Sequence, residues 1–264
     1  TTEIYTLSLH DALPILKRKV LRFSLEKQSY SDDEIIKEEP LVVTVNGTRA
    51  YFCMRFPGMD KELAAGVLYS DGVISSPEEI KSLTINETGV EIEITGHPLS
   101  EAKRVYSSTG GMSSSDLLKP AAVSSDFLIT ADDLFRMKDK FLSSQKFFEL
   151  TGGTHCAGLF NSKGEMIAFA EDVGRHNALD KCAGSLLLEG RQKDAAIVML
   201  SSRLSLEMIK KSYRAGALLV AGVSAPTSAA VEAAEFAGMT LIGFLRDGRF
   251  NLYTHPRRIT GIRA

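Results

Sequence analysis

AIVMLSSRLSLEMIKKSYRAGALLVAGVSAPTSAAVEAAEFAGMTLIGF (residues 196–244) alternates three short apolar runs with two stretches of helical spacing. AIVML at 196–200, ALLVAGV at 217–223 and TLIGF at 240–244 are each short and continuously apolar, as expected of strands buried on both faces. Between them, Leu206, Met208 and Ile209 mark one helix, with Gly216 placed as its C′ residue, and Thr227 to Phe236 a second, closed by Gly238. Strand and helix alternating in this way predict an α/β fold, a sheet with parallel members covered by helices.

Upstream the same region continues. His155–Phe160 and Glu165–Ala170 read as strands around an Asn-Ser-Lys-Gly turn, and Arg175 to Leu188 as a helix. Thr130 with Asp133 predicts a capping box, opening a helix whose face is Leu134, Met137, Phe141 and Leu142. Residues 126–264 are thus expected to form one mixed α/β unit. Before it, SSTGGMSSSDLLKPAAVSS (107–125) is too poor in large apolar side chains to order itself and is expected to be a flexible linker.

Residues 20–106 predict a smaller α+β region. LVVTV and TRAYFCMR flank Asn46-Gly47, the dipeptide that best supplies the positive φ angles of a tight hairpin. Asp60 is expected to cap a short helix ended by Asp71-Gly72, and GVEIEIT (89–95) to add a strand. Residues 1–15, TTEIYTLSLHDALPI, begin without Met and are read as a non-native tail outside the fold.

Composition narrows the class. A net charge of −2 argues against nucleic-acid binding across the whole surface. No apolar run approaches the length of a membrane helix, so the chain is not expected to span a membrane. Three widely spaced cysteines, Cys53, Cys156 and Cys182, fit neither a disulfide framework nor a paired metal motif, and suggest a reducing cytoplasm.

The densest polar text is TGGTHCAG (151–158) with EDVGRHNALDK (171–181). It gathers His155, Glu171, Asp172, Arg175, His176, Asn177, Asp180 and Lys181 where strands should end and a helix begin, a place suited to anionic ligands. Ordinary surface loops with caps would look similar, but the crowding of charged types favours a site. Near the C-terminus, Arg246 and Arg249 flank Asp247-Gly248, a turn expected to bring two guanidiniums towards one diphosphate.

These segments, with SSRLSLEM (201–208), VSAPTSAAVEAA (223–234), GFLRDGRFNLYTHPRR (243–258) and EEPLVVTVNGTRAYFCMRFPGMDKELAAGVLYSDGVI (38–74), resemble the signatures of the FdhD/NarQ family in the family's order. The resemblance covers nearly everything after residue 20. It implies a cytidine-deaminase-like fold for the C-terminal domain, a homodimer, and sulfur transfer from a cysteine desulfurase to the bis-molybdopterin guanine dinucleotide form of molybdenum cofactor before its insertion into formate dehydrogenase. It also implies that Phe244, Leu245, Arg246, Asp247, Gly248 and Arg249 contact that cofactor, a role to which His155, Arg175, His176 and Asn177 are added as neighbours.

One departure matters. The family's loop cysteines fall at Thr109 and Met112, and neither side chain can carry a persulfide. Of the cysteines present, Cys182 and Cys53 read as core residues, and Cys156, beside His155, as a buried strand residue with an outside claim to reactivity. Sulfurtransfer is therefore weighed against a non-catalytic chaperone that holds the cofactor or a guanine nucleotide. Zinc-dependent deamination is rejected and no metal ligands are assigned, because Arg175-His176-Asn177 and Ser201-Ser202-Arg203-Leu204 lack the thiolates and glutamate that such a site needs. A Rossmann dehydrogenase is excluded by the lack of GxGxxG.

Overall fold

The computed structural model describes residues 14–87, 89–96 and 127–262. The expected linker, with Thr109 and Met112, lies outside the described residues, as does the tail up to residue 13.

β1 (Ile15–Phe23) and β2 (Gln28–Ile36) form a two-stranded antiparallel ribbon. Its register sets Lys17 against Glu34, Arg18 against Asp33 and Lys19 against Asp32, so opposite charges face each other on three successive rungs. This ribbon was not foreseen, and it takes in Ile15, which the tail reading had set aside. β3 (Glu39–Val45) and β4 (Thr48–Arg55) follow as the expected hairpin, with Asn46 at φ 49° and Gly47 at φ 74°. That pair of positive angles matches the right-handed twist of the flanking strands.

α1 (Asp60–Ser70) starts differently from expectation. Asp60 is the first helical residue rather than the cap, which is Met59 in the left-handed region at φ 56°. The Asp60 carboxylate instead accepts two hydrogen bonds of 2.9 Å from the Arg55 guanidinium, a bidentate ion pair that closes the β4–α1 turn. β5 (Ile80–Asn86) and β6 (Gly89–Ile94) complete a four-stranded sheet of order β4-β3-β6-β5.

β7 (Ile129–Thr130) leads into α2 (Ala131–Ser143), opened by the expected capping box: Thr130 accepts from the Asp133 N–H while Asp133 accepts from Thr130. Leu134, Met137 and Phe141 are buried, but Leu142 is turned out to solvent, one residue beyond the inward stripe. Then come α3 (Lys146–Thr151), β8 (His155–Phe160), β9 (Met166–Asp172) and α4 (Arg175–Leu188). β10 (Ile197–Leu200), α5 (Leu206–Arg214), β11 (Leu219–Gly222), α6 (Ser228–Phe236), β12 (Thr240–Arg246), β13 (Arg249–Thr254) and β14 (Ile259–Thr260) end the chain.

The second large sheet has six strands in the order β13-β12-β11-β10-β8-β9. β10, β11 and β12 are parallel, while β8 runs against β10, β9 against β8 and β13 against β12. The mixed α/β expectation is met. One apolar core fills the space between the two large sheets and joins Val43, Leu63 and Ile92 to Leu179, Leu186, Met208 and Ala234. A second lies on the other face of the six-stranded sheet, where Leu134, Met137 and Phe141 of α2 meet Phe160, Met199 and Ile242.

The two halves touch most closely where α1 crosses α4. A Cβ on Gly66 would lie 1.9 Å from the Asp180 carbonyl oxygen, and one on Gly184 would lie 1.8 Å from that of Glu62. Only glycine lets the helices approach so far.

Candidate functional site

Because β8 opposes the three parallel strands, its N-terminus lies level with their C-termini, and the β9–α4 turn joins them there. His155, the loops after β10 and β11, the start of α4 and the β12–β13 turn all border this carboxyl edge of the sheet. It is the place where an open α/β sheet ordinarily takes its ligand.

EDVGRHNALDK divides in two here. Its carboxylates mostly bind the halves of the molecule together. Asp172, fully buried, pairs with Lys181 at 2.8 Å and accepts hydrogen bonds from the N–H groups of Phe56 and Gly174. Lys181 donates to the Phe56 carbonyl. Asp180 accepts from Ser70 at 2.6 Å and from Lys211 at 2.7 Å. Glu171 accepts from the N–H groups of Phe147 and Phe148 and from the Thr154 hydroxyl, anchoring the start of α3. Asn177 donates to the Met54 carbonyl and to Asp172, so its amide is engaged in packing rather than turned to a ligand. Leu245 is likewise a core residue, 1% exposed in the cluster beneath α2.

What remains at the edge centres on one arginine. Arg175 is the first residue of α4, and its buried Nε has no hydrogen-bond partner among the described residues. His155 is partly buried nearby; burial and the charge of Arg175 both hold its imidazole below the usual histidine range. Glu207, in the first turn of α5, was missed by the sequence reading. Burial pushes its carboxyl up, but hydrogen bonds with its own backbone and Ser205 and the charges of His176 and Arg175 bring it net below the ordinary value. Only a fold that sets α5 beside α4 brings Glu207 to these cations.

Three strand positions away, Phe244 adopts a left-handed backbone at φ 52°, within an irregularity of the β12–β13 register. Its N–H donates to the Ser224 carbonyl at 3.1 Å, and the residue is 41% exposed. Such strain in an aromatic residue persists only where its surroundings impose it, and it clusters at functional sites. Arg246 and Arg249 are paired across the turn and both exposed, while Asp247 is ion-paired with Lys138 of α2. The arginine turn and the His155–Arg175 group therefore share one edge but do not touch. Three interstrand spacings of roughly 4.8 Å separate β8 from β12, about 14 Å across the sheet.

The cysteines are inaccessible. Cys53, Cys156 and Cys182 are all free thiols and all buried. Burial raises each pKa, that of Cys53 to about 12 and those of Cys156 and Cys182 further, with Ser201 offsetting only part of the rise at Cys156. Among the described residues no three His, Cys, Asp or Glu side chains are grouped to hold a metal ion.

A model of the FdhD/NarQ family matches residues 36–260, which takes in both large sheets and the whole carboxyl edge. The chain belongs to the FdhD/NarQ family. Two relatives named sulfur carrier protein FdhD illustrate the spread: that of Sulfurisphaera tokodaii is 38% identical, with 94% of this chain and 100% of that one covered, and that of Streptomyces avermitilis is 33% identical, with 92% and 95% covered. A crystal structure from Desulfotalea psychrophila, designated a formate dehydrogenase accessory protein, superposes with a TM-score of 0.79 at 26% identity, over 93% of this chain and 99% of that one. The FdhD/NarQ architecture thus extends over both sheets. No helix among the described residues is long and apolar enough to cross a membrane.

Proposed function

We propose that this chain serves formate dehydrogenase maturation by holding the bis-molybdopterin guanine dinucleotide form of molybdenum cofactor, as cargo, along the carboxyl edge of the six-stranded sheet. One observation carries the reading: at that edge a buried guanidinium nitrogen, Arg175 Nε, has no hydrogen-bond partner among the described residues. Buried donors are ordinarily satisfied, and a phosphate oxygen matches a guanidinium at the first turn of a helix. In this account His155, Arg175 and His176 hold phosphate at one flank. Phe244 offers its ring to the guanine and Arg246 and Arg249 clasp the diphosphate at the other.

The name borne by the relatives, sulfur carrier protein, supports a place in sulfur delivery, with a cysteine desulfurase as donor and formate dehydrogenase as recipient of the finished cofactor. The same proposal takes the six-stranded sheet as cytidine-deaminase-like and the protein as a cytoplasmic homodimer, to which the exposed Leu21, Phe23 and Tyr30 of the ribbon lend an apolar surface.

The cysteines favour a second reading. All three in the chain are buried, and Thr109 and Met112 stand at the family's persulfide positions. A chaperone that binds the cofactor or a guanine nucleotide without thiol chemistry needs only the carboxyl edge. Incubation with a cysteine desulfurase and labelled cysteine, followed by mass spectrometry, separates the two. Label on Cys156 establishes a sulfur carrier, and an unlabelled protein that still binds guanine nucleotide establishes the chaperone.

A further inference from the structure

Arg175 follows β9 and the arginine turn joins β12 to β13, and the strand order places the loop after β10 between them. Ser201 donates its N–H to the Cys156 carbonyl on one side, and Leu204 donates its own to Ala225 on the other, with Leu204 bridged to Pro226. The loop is therefore fixed across the middle of the edge. Ser202 is 4% exposed and Leu204 0%, and a Cβ on Gly222 would lie 2.7 Å from the Leu204 side chain. Arg203, between these two buried residues, is exposed; its carbonyl accepts from the Ser202 hydroxyl, and its guanidinium makes no hydrogen bond or ion pair with a described residue.

Carboxylates near this line are largely occupied elsewhere. Asp172 is paired with Lys181 and Asp247 with Lys138, while Glu207 lies beside Arg175 and His176 and offsets part of the charge at that end of the edge, leaving Arg203 without a carboxylate of its own. A cation held between two others on a rigid edge has no internal partner to neutralise it, and several such charges in a row favour an anion extended along them.

We infer that Arg203 is the middle cation of a continuous rim running from Arg175 to Arg249, and that it confers a preference for an elongated polyphosphate dinucleotide lying across β8, β10, β11 and β12 over a mononucleotide held at the arginine turn. The inference rests on the cofactor-binding reading above and deepens it. In that arrangement Arg249 contacts either ligand, whereas Arg203 contacts only one long enough to reach the centre of the edge.

The test is isothermal titration of the full chain and its Arg203→Ala and Arg203→Lys variants with two probes, guanosine diphosphate and P1,P3-di(guanosine-5′) triphosphate. Arg203→Ala is expected to weaken the dinucleotide about tenfold, the loss of one exposed charge-assisted contact. It should change guanosine diphosphate by less than about twofold, and Arg203→Lys should keep most of the dinucleotide affinity. Equal weakening of both probes, or no effect on either, overturns the assignment of Arg203 while an Arg249→Ala effect keeps the edge itself in place. Failure of the unaltered chain to bind either probe overturns the edge reading and this inference with it.

Discussion

The Asp172 carboxylate and the Lys181 ammonium meet at 2.8 Å with side-chain exposures of 0% and 1%, and the Lys181 ammonium also lies 5.5 Å from the centroid of the Phe56 ring. A pair so enclosed is stable only while both charges are present, because removing one leaves the other buried without a counter-ion. Lys181→Met is expected to destabilise the protein by about 3–5 kcal/mol, and adding Asp172→Asn should recover part of the loss. The chain has no tryptophan, so urea unfolding followed by far-UV circular dichroism is the suitable measurement. A Lys181→Met variant with an unchanged midpoint removes the pair from the account of what joins the two halves.

Gly184→Ala offers a test in the opposite sense to helix propensity. In an open helix the change should stabilise by up to about 1 kcal/mol. Here the added carbon would lie 1.8 Å from the Glu62 carbonyl oxygen and 2.7 Å from the Gly66 nitrogen, both backbone atoms that cannot swing aside. Separation of α1 from α4 should therefore lower stability by about 1–3 kcal/mol or more. A raised melting temperature would show that the helices do not cross as closely as described.

The buried thiols predict chemical silence. With each pKa raised by burial, thiolate is scarce at pH 8 and shielded where it forms. Native protein treated with iodoacetamide should gain no label on Cys53, Cys156 or Cys182 within the time in which urea-unfolded protein labels all three. Rapid labelling of Cys156 alone would return it to candidacy as a reactive residue.

His155 should report on ligand and pH together. Burial first, and the Arg175 charge second, lower its pKa from 6.5, so the folded state binds that proton less readily than the unfolded chain. This contribution to stability is neutral above the unfolded pKa and unfavourable once pH falls below it. His155→Gln should therefore lose less stability than the unaltered protein between pH 7 and about pH 5. In an NMR titration, bound P1,P3-di(guanosine-5′) triphosphate should move the His155 midpoint upward because its phosphates reach the imidazole, and an unmoved midpoint would place the phosphates elsewhere.

Much of the carboxyl half was legible because its signals are local. The apolar runs at 197–200, 219–222 and 240–244, the Thr130–Asp133 box and the Asn46-Gly47 turn each carry their own physical cause, and each appears in the structure. The ribbon at 15–36 was not legible, since its alternation is charged rather than apolar and its stability comes from cross-strand pairs that only the register shows. The polar motif was found but not apportioned. Nothing in EDVGRHNALDK states that Asp172, Asn177 and Lys181 reach Phe56 and Met54, more than a hundred residues away, leaving Arg175 at the edge. Glu207 joins the same site only through the packing of α5 beside α4, for which a single sequence gives no signal.

Binding of guanosine diphosphate to the unaltered chain and to Arg249→Ala, measured by isothermal titration, bears most directly on the carboxyl edge as a cofactor site. Saturable one-to-one binding is expected, weakened by the substitution by about 1.5–3 kcal/mol, the loss of a charge-assisted contact. No binding by the unaltered chain, or equal affinity in the two proteins, would contradict it.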